Sequence, residues 1–281
     1  MRSPPPIPRL EDAPDELLSS GHLWLTEKID GALLRFQLRE SGVLRVGDRD
    51  RVYDDPDAVP EQYAHAVRDV RERLDRGALR AAVDDVESVV LFGEATHRQT
   101  IEYDWDRLPS FLGFDVYSAE DDTFQPPDAA ERVFDRLGLD PVNAVERELN
   151  TRDFDPESYG IPDSAWYDGP AEGVVVRNKR GGRAKLIHPD FRGDEDPDPI
   201  DASPEGAADA YASDRRFEKV ASELRSRGRP VSFDSLYERT IDDILREEHR
   251  RLLHGGSSID LSEFRSAVAA RTQRFLSGTD G

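Results

Sequence analysis

The sequence predicts an α+β chain: a mixed α/β domain of about 190 residues followed by a small all-helical domain of about 75. Three observations carry this. Short apolar runs with strand character recur as far as residue 187. The stretch Gly193–Gly206 is dense in Asp, Pro and Glu and reads as a solvated linker. Beyond it, apolar residues return at helical spacing. The division is a lead-in over 1–21, the main domain over 22–191, an acidic linker over 192–207 and a helical domain over 208–281.

Residues 1–21 open with Ser3-Pro4-Pro5-Pro6 and continue acidic, as a loose lead-in. Strands are predicted at about 22–27, 31–39 and 43–47. In the second, Leu34, Phe36 and Leu38 fall on one side and Arg35 and Gln37 on the other. Over Asp57–Asp85, Tyr63, Val67, Val70 and Leu74 recur at helical spacing. Residues 87–93 and 111–117 are apolar strands, and a helix spans 127–138 with Val133, Phe134 and Leu137 inward. A polar stretch leads to a buried strand at Glu172–Arg177, and Gly181-Gly182 turns the chain so that Arg183–Ile187 returns as its partner. In the last domain three helices are marked by Phe217, Val220 and Leu224; by Phe233, Leu236, Ile241 and Leu245; and by Leu261, Phe264 and Val268. Ser232 and Asp260 suit the N-caps of the last two.

The composition narrows the chemistry. With 59 acidic and 38 basic residues the formal charge is −21, which repels nucleic acid unless a local basic cleft overrides it. The acidic residues are dispersed among periodic apolar positions, as on a salt-adapted surface. No cysteine occurs, so thiolate zinc sites and cysteine nucleophiles are excluded. His22, His65, His97, His188, His249 and His254 show no zinc-ligand spacing and read as surface or helix residues. There is no nucleophile elbow, no signal peptide and no apolar run of membrane length, so a soluble, cytoplasmic protein is expected.

Lysine is scarce: Lys28, Lys179, Lys185 and Lys219 are the only ones, and arginine supplies every other cation of this kind. Lysine, unlike arginine, becomes a nucleophile once it loses its proton. Lys28 sits in Glu27-Lys28-Ile29-Asp30-Gly31, a K-x-D-G motif in a tight connection between two predicted strands. Alone, this motif reads first as a solvated hairpin lysine. Four further stretches follow in order: Leu91-Phe92-Gly93-Glu94, Phe111-Leu112-Gly113-Phe114-Asp115, Glu172-Gly173-Val174-Val175-Val176-Arg177 and Arg183-Ala184-Lys185-Leu186-Ile187.

Together the five motifs resemble the covalent nucleotidyltransferase superfamily of polynucleotide ligases and capping enzymes, over roughly residues 22–191. The Glu-Lys pair at 27–28, Phe-Gly-Glu at 92–94 and Phe-Asp at 114–115 are most similar to the RNA ligase branch typified by the second RNA ligase of phage T4. The resemblance implies a nucleotidyltransferase-like (ATP-grasp-type ligase) mixed-sheet domain, with ATP and Mg²⁺ (or Mn²⁺) as cofactors and RNA as partner. It implies that Lys28 takes up AMP, and that Glu27, Ile29, Asp30, Arg35, Arg49, Glu94, Phe114, Glu172 and Lys185 complete the nucleotide pocket. Within that pocket Lys185 is aimed at the α-phosphate, Phe114 faces the adenine, and Asp30 and Arg35 bind ribose or orient Lys28. Glu94 accepts from ribose, and Glu172 is a metal ligand. Arg51 is the alternative to Arg49. Arg177, Lys179 and Arg183 are candidates for gripping a nucleic-acid backbone.

One departure concerns the last motif, where the branch alternates two lysines. Here the pair is either Arg183 and Lys185, or Lys185 and Ile187; the spacing of Lys185 to Phe191 favours the second register. The implied activity is ATP-dependent joining of 5′-phosphate and 3′-hydroxyl RNA ends. A barrel-free DNA ligase and an inactive RNA-end binding module are the alternatives.

Overall fold

The computed structural model describes residues 1–55, 58–193, 202–253 and 259–278. It divides into two units, one of Met1–Thr96 and Thr100–Asp194, the other of His97–Gln99 and Glu195–Gly281. The first runs α1 (Glu16–Ser19), β1 (His22–Lys28), β2 (Ala32–Leu38), β3 (Leu44–Gly47), β4 (Val52–Tyr53), α2 (Ala64–Arg73), α3 (Arg76–Ala82), β5 (Val89–Ala95), β6 (Phe111–Ser118), β7 (Thr123–Phe124), α4 (Pro127–Arg136), β8 (Ala144–Asn150), β9 (Gly173–Asn178) and β10 (Arg183–Ile187).

The strands form two antiparallel sheets, in the orders β10-β9-β1-β8 and β4-β3-β2-β5-β6-β7. Alternation decides what each face carries. In the first sheet, Leu23, Leu25, Val174, Val176 and Ala184 pack with Leu10, Leu17 and Phe154 into one core cluster. The intervening residues Thr26, Lys28, Val175, Arg177, Arg183 and Lys185 are thereby turned to the opposite face. In the second sheet, Leu34, Phe36, Leu38, Leu91 and Val116 pack against Val67 and Val70 of α2, Leu79 of α3 and Ala130 and Phe134 of α4. The other face is left for Leu33 and Glu94, which are register partners on β2 and β5.

Several expectations are corrected. Residues 1–21 are not a loose lead-in: Leu10 and Leu17 are buried, and the Lys185 amide donates to Pro8 O at 2.9 Å. The helical stretch after residue 57 breaks at Leu74, because Asp75 caps a separate α3 by accepting from the Ala78 amide. The polar stretch before Glu172 contains β8, paired with β1 through an irregular register. Glu148 there has φ +55°, and this distortion places Val145 and Leu149 on the core at a four-residue spacing that hides the strand. His65 is a helix residue, buried in α2, whereas His97 is buried outside any helix and is neither a surface nor a helix residue; His254 lies outside the described residues.

The second unit comprises α5 (Pro204–Tyr211), α6 (Asp214–Ser226), α7 (Phe233–Glu247), α8 (His249–Leu253) and α9 (Leu261–Ser277). Phe217, Val220, Leu224, Leu236, Ile241, Ile244, Phe264 and Val268 form its core. Ser232 and Asp260 cap α7 and α9 as expected. Of the expected linker, 194–201 lie outside the described residues, and 204–207 are the first turn of α5. Ser203 as N-cap and Pro204 at the first helical position start that helix early. Among the described residues, no helix is long and apolar enough to cross a membrane.

Candidate active site

Lys28 is the last residue of β1, and Ile29-Asp30-Gly31 carry the chain from one sheet to the other rather than around a hairpin. Each residue of the crossing has a physical task. Ile29 is buried with Ile101, Tyr103, Leu112 and Val142. Asp30 Oδ2 accepts from the amides of Thr100 (2.5 Å) and Ile101 (2.7 Å), and the Asp30 amide donates to the Tyr103 hydroxyl at 2.9 Å. At Gly31 a Cβ would stand 2.5 Å from Ala95 O and 2.9 Å from Glu94 Cγ, so any side chain would push β5 and its carboxylate away. The K-x-D-G motif thus brings Lys28 and Glu94 to the same cleft.

Lys28 faces Gly173 across the β1–β9 ladder, which brings Glu172 alongside. The Lys28 ammonium donates to both Glu172 oxygens at 2.6 Å. Lys185 lies opposite Val175, and Val175 opposite Thr26, so the three cross the sheet in one row on the cleft face. Burial raises the Glu172 carboxyl above its ordinary range, with Lys28 opposing the shift. Burial also pushes Glu94 up to about 8; Lys28 opposes this, and the carboxylates of Glu172 and Asp30 add to it. Lys185 is lowered by burial and by the charge of Lys28.

The second sheet supplies the facing wall. Opposite Phe92 and Gly93 of β5, β6 places Asp115 and Gly113, leaving Phe114 as an extra residue. This bulge brings both Phe114 and Asp115 to the cleft. Asp115 is buried between two arginines: Arg177 Nη2 donates to one carboxylate oxygen and Arg183 Nη1 to the other. Arg177 Nη1 also donates to Phe114 O at 2.6 Å. The cleft lies between the sheets and opens to solvent; its space, open mouth included, is about 820 Å³.

The cleft brings together Glu27, Lys28, Ile29, Arg49, Glu94, Phe114, Arg177, Arg183 and Lys185. Glu172 joins them through Lys28. The Glu27 carboxylate is anchored by Ser164 Oγ (2.5 Å), Asn143 Nδ2 (3.1 Å) and the Ala165 amide (3.2 Å). Arg49 is exposed at the cleft. Four expectations change. Arg35 is not in the cleft; it is 2% exposed and donates to the carbonyls of Arg2 (2.5 Å) and Arg51 (3.5 Å). Arg177 and Arg183 are buried against Asp115, so neither presents an open grip for a nucleic-acid backbone. Lys179 lies at the far end of β9 from Gly173, paired with Glu148 at 2.6 Å. Asp30 pins a loop and is not part of the lining.

For the last motif, the two registers differ in what they place at the cleft. Arg183 and Lys185 both line the cleft and Ile187 does not. Sequence reasoning missed Ile7, Thr26, Leu33, Asp115, Val142 and Val175. Thr26 and Val175 follow from alternation once Lys28 and Lys185 are assigned to one face; Ile7 carried no such signal.

The donor set suits a hard divalent cation. Glu94 and Glu172 bring carboxylate oxygens whose pKa values are raised first by burial, with the charge of Lys28 opposing the shift. Among the described residues there is no cluster of three metal-ligating side chains. Mg²⁺ is commonly held by one or two carboxylates, with waters and substrate phosphates completing its shell.

The profile of the RNA ligase family matches residues 21–187. Among solved structures, a variant of the Naegleria gruberi RNA ligase with ATP and Mn is 17% identical, with a TM-score of 0.52; the match covers 68% of this chain and 57% of that one. The same Naegleria enzyme with PPi matches at 18% identity and a TM-score of 0.51, again over 68% and 57%. An archaeal ATP-dependent RNA ligase matches at 16% identity and a TM-score of 0.48, over 98% of this chain and 63% of that one. The chain therefore spans less than two-thirds of the length of these structures. No curated protein matches it. The family profile covers more than half of the sequence, and the chain belongs to the RNA ligase family.

Proposed function

We propose that this chain is an ATP-dependent RNA ligase that joins 5′-phosphate and 3′-hydroxyl ends. The observation that carries the reading is Lys28. It is a nucleophile on the wall of the cleft between the sheets, 2.6 Å from the carboxylate of Glu172 and flanked by Lys185 and Arg49. In the first step the Lys28 amine, its proton passed toward Glu172, attacks the α-phosphorus of ATP. The N–P bond forms, the bond to the β-phosphate oxygen breaks, and pyrophosphate leaves. In the second step an RNA 5′-phosphate oxygen attacks the same phosphorus and Lys28 departs. In the third, the RNA 3′-hydroxyl attacks the activated 5′-phosphate and AMP leaves.

Positioning and charge neutralisation dominate such in-line displacements. Lys185 and Arg49 supply cations for the phosphates, and Phe114 and Val175 supply apolar surface for the nucleobase. Glu172 and Glu94 would hold Mg²⁺, which when bound neutralises phosphate charge. The acidic composition supports work at high salt, and the chemistry fits cytoplasmic RNA repair or processing.

The test is incubation with α-labelled ATP and Mg²⁺ in high salt, followed by denaturing electrophoresis. Label retained by the wild type and lost in Lys28→Ala is the expected result. Folded wild type that is not already adenylated and takes no label sinks the reading. Competition between nicked RNA and nicked DNA then separates RNA joining from DNA joining.

A further inference from the structure

The cleft has a third wall, made by neither sheet. We propose that residues 2–9 form a strap across the cleft and that Ile7 is a nucleotide-contacting residue; the assignment rests on the ligase reading above. The strap is tied at both ends. At one end Arg2 O accepts from the buried Arg35 guanidinium at 2.5 Å, and the Arg2 guanidinium sits 4.9 Å over the Tyr117 ring. Met1 packs beside Val90, Phe92 and Tyr117. All of these partners belong to the second sheet. At the other end Pro8 O accepts from the Lys185 amide at 2.9 Å, and Arg9 pairs with Lys185 in a parallel bridge. These ties fall on β10, the edge of the first sheet.

Between the ties stand Pro4, Pro5 and Pro6. Such a run favours extended polyproline geometry at about 3.1 Å per residue, so Arg2 to Pro8 reaches roughly 19 Å with little freedom to lose. The strap delivers Ile7 into the cleft lining that contains Lys28, Phe114, Val175 and Lys185. Ile7 is half-buried in the protein alone, so it still has apolar surface to cover. A nucleotide seated on Lys28 would bury that surface. The strap also pairs the edge strand at Lys185, the residue whose side chain faces the phosphates. It therefore acts on nucleotide affinity and not on the attack itself.

The experiment is calorimetric titration of the full chain with α,β-methylene-ATP and Mg²⁺ in high salt. This analogue cannot release pyrophosphate, so binding is read without turnover. Ile7→Ala is expected to bind about tenfold more weakly, as loss of most of one apolar contact predicts, and Ile7→Val about as well as the wild type. Replacing Pro4, Pro5 and Pro6 together with glycine leaves the lining untouched but loosens the strap, and should weaken binding several-fold. In labelling with ATP, the Ile7→Ala deficit should lie in KM, with the rate at saturation retained. Binding by Ile7→Ala within twofold of the wild type overturns the proposal while leaving the ligase reading intact. A folded wild type that takes no label from ATP overturns both.

Discussion

Both carboxylate oxygens of Glu172 lie 2.6 Å from the Lys28 ammonium nitrogen. The pair is made by β-sheet register, since Lys28 faces Gly173 and Glu172 precedes it. It holds the lysine at the cleft and gives its proton somewhere to go. Glu172→Gln keeps the shape but removes the acceptor. The rate of label uptake from α-labelled ATP, at saturating ATP and Mg²⁺, is expected to fall about 10²-fold, the low end of general-base effects. Unchanged uptake at saturating ATP would show that Glu172 only positions Lys28.

Glu94 gives a pH dependence with a definite sign. Its folded pKa, about 8, is raised from an ordinary 4.5, first by burial. The folded state therefore binds more protons than the unfolded chain between these values, and stability declines as pH rises through that window. Glu94→Gln cannot ionise. Its melting temperature relative to the wild type should rise from about pH 4.5 to about pH 8 and then level off. A constant difference across pH 4–9 would place the Glu94 charge elsewhere.

Most of the cleft was legible because its residues stand in ordered motifs on strands. Lys28, Glu94, Phe114 and Lys185 line one cleft, with Glu172 on Lys28, as the resemblance carried by the ordered motifs implies. Three things were hidden, each for a physical reason. Asp115 is presented by a bulge, which no two-residue period reveals. Alternation put Arg35 opposite Leu34 and Phe36 but gave no sign that carbonyls of Arg2 and Arg51 bury it there. Ile7 sits in a proline-rich stretch without periodicity, and its place depends on contacts of its neighbours with residues far along the chain, Arg35, Tyr117 and Lys185.

Asp115 is a stability prediction. It is 1% exposed and pairs with Arg177 and Arg183, themselves 5% and 8% exposed. Asp115→Ala leaves two buried cations facing each other without their carboxylate. Removing one partner from a buried ionic group costs about 3–5 kcal/mol. Urea unfolding monitored by circular dichroism should show a loss of that size. A loss below about 1 kcal/mol, the range of exposed pairs, would mean that water reaches the arginines freely.

The net charge of −21 makes stability depend on salt. Exposed carboxylates repel one another, and the screening length shrinks from about 10 Å at 0.1 M to about 3 Å at 1 M. The melting temperature is expected to climb steadily with KCl over this range at pH 7. A flat curve would remove the case for a salt-adapted surface.

Arg49 owes its place to Asp48. The Asp48 carboxylate accepts from the amides of Asp50 (2.8 Å) and Arg51 (2.7 Å) and from the Tyr53 hydroxyl, closing the turn between β3 and β4. Arg49 is the exposed residue of this turn that reaches the cleft. On the proposed reading, its long side chain serves a phosphate only while the turn holds its shape. If Asp48 acts through Arg49, Asp48→Ala and Arg49→Ala should each raise the KM for ATP about tenfold, the scale of one charge-assisted contact. The double substitution should then be no worse than either alone. The label-uptake rate at saturation should stay near the wild-type value in all three. Effects that multiply, to about a hundredfold, would show that the turn serves the fold and the arginine works without it.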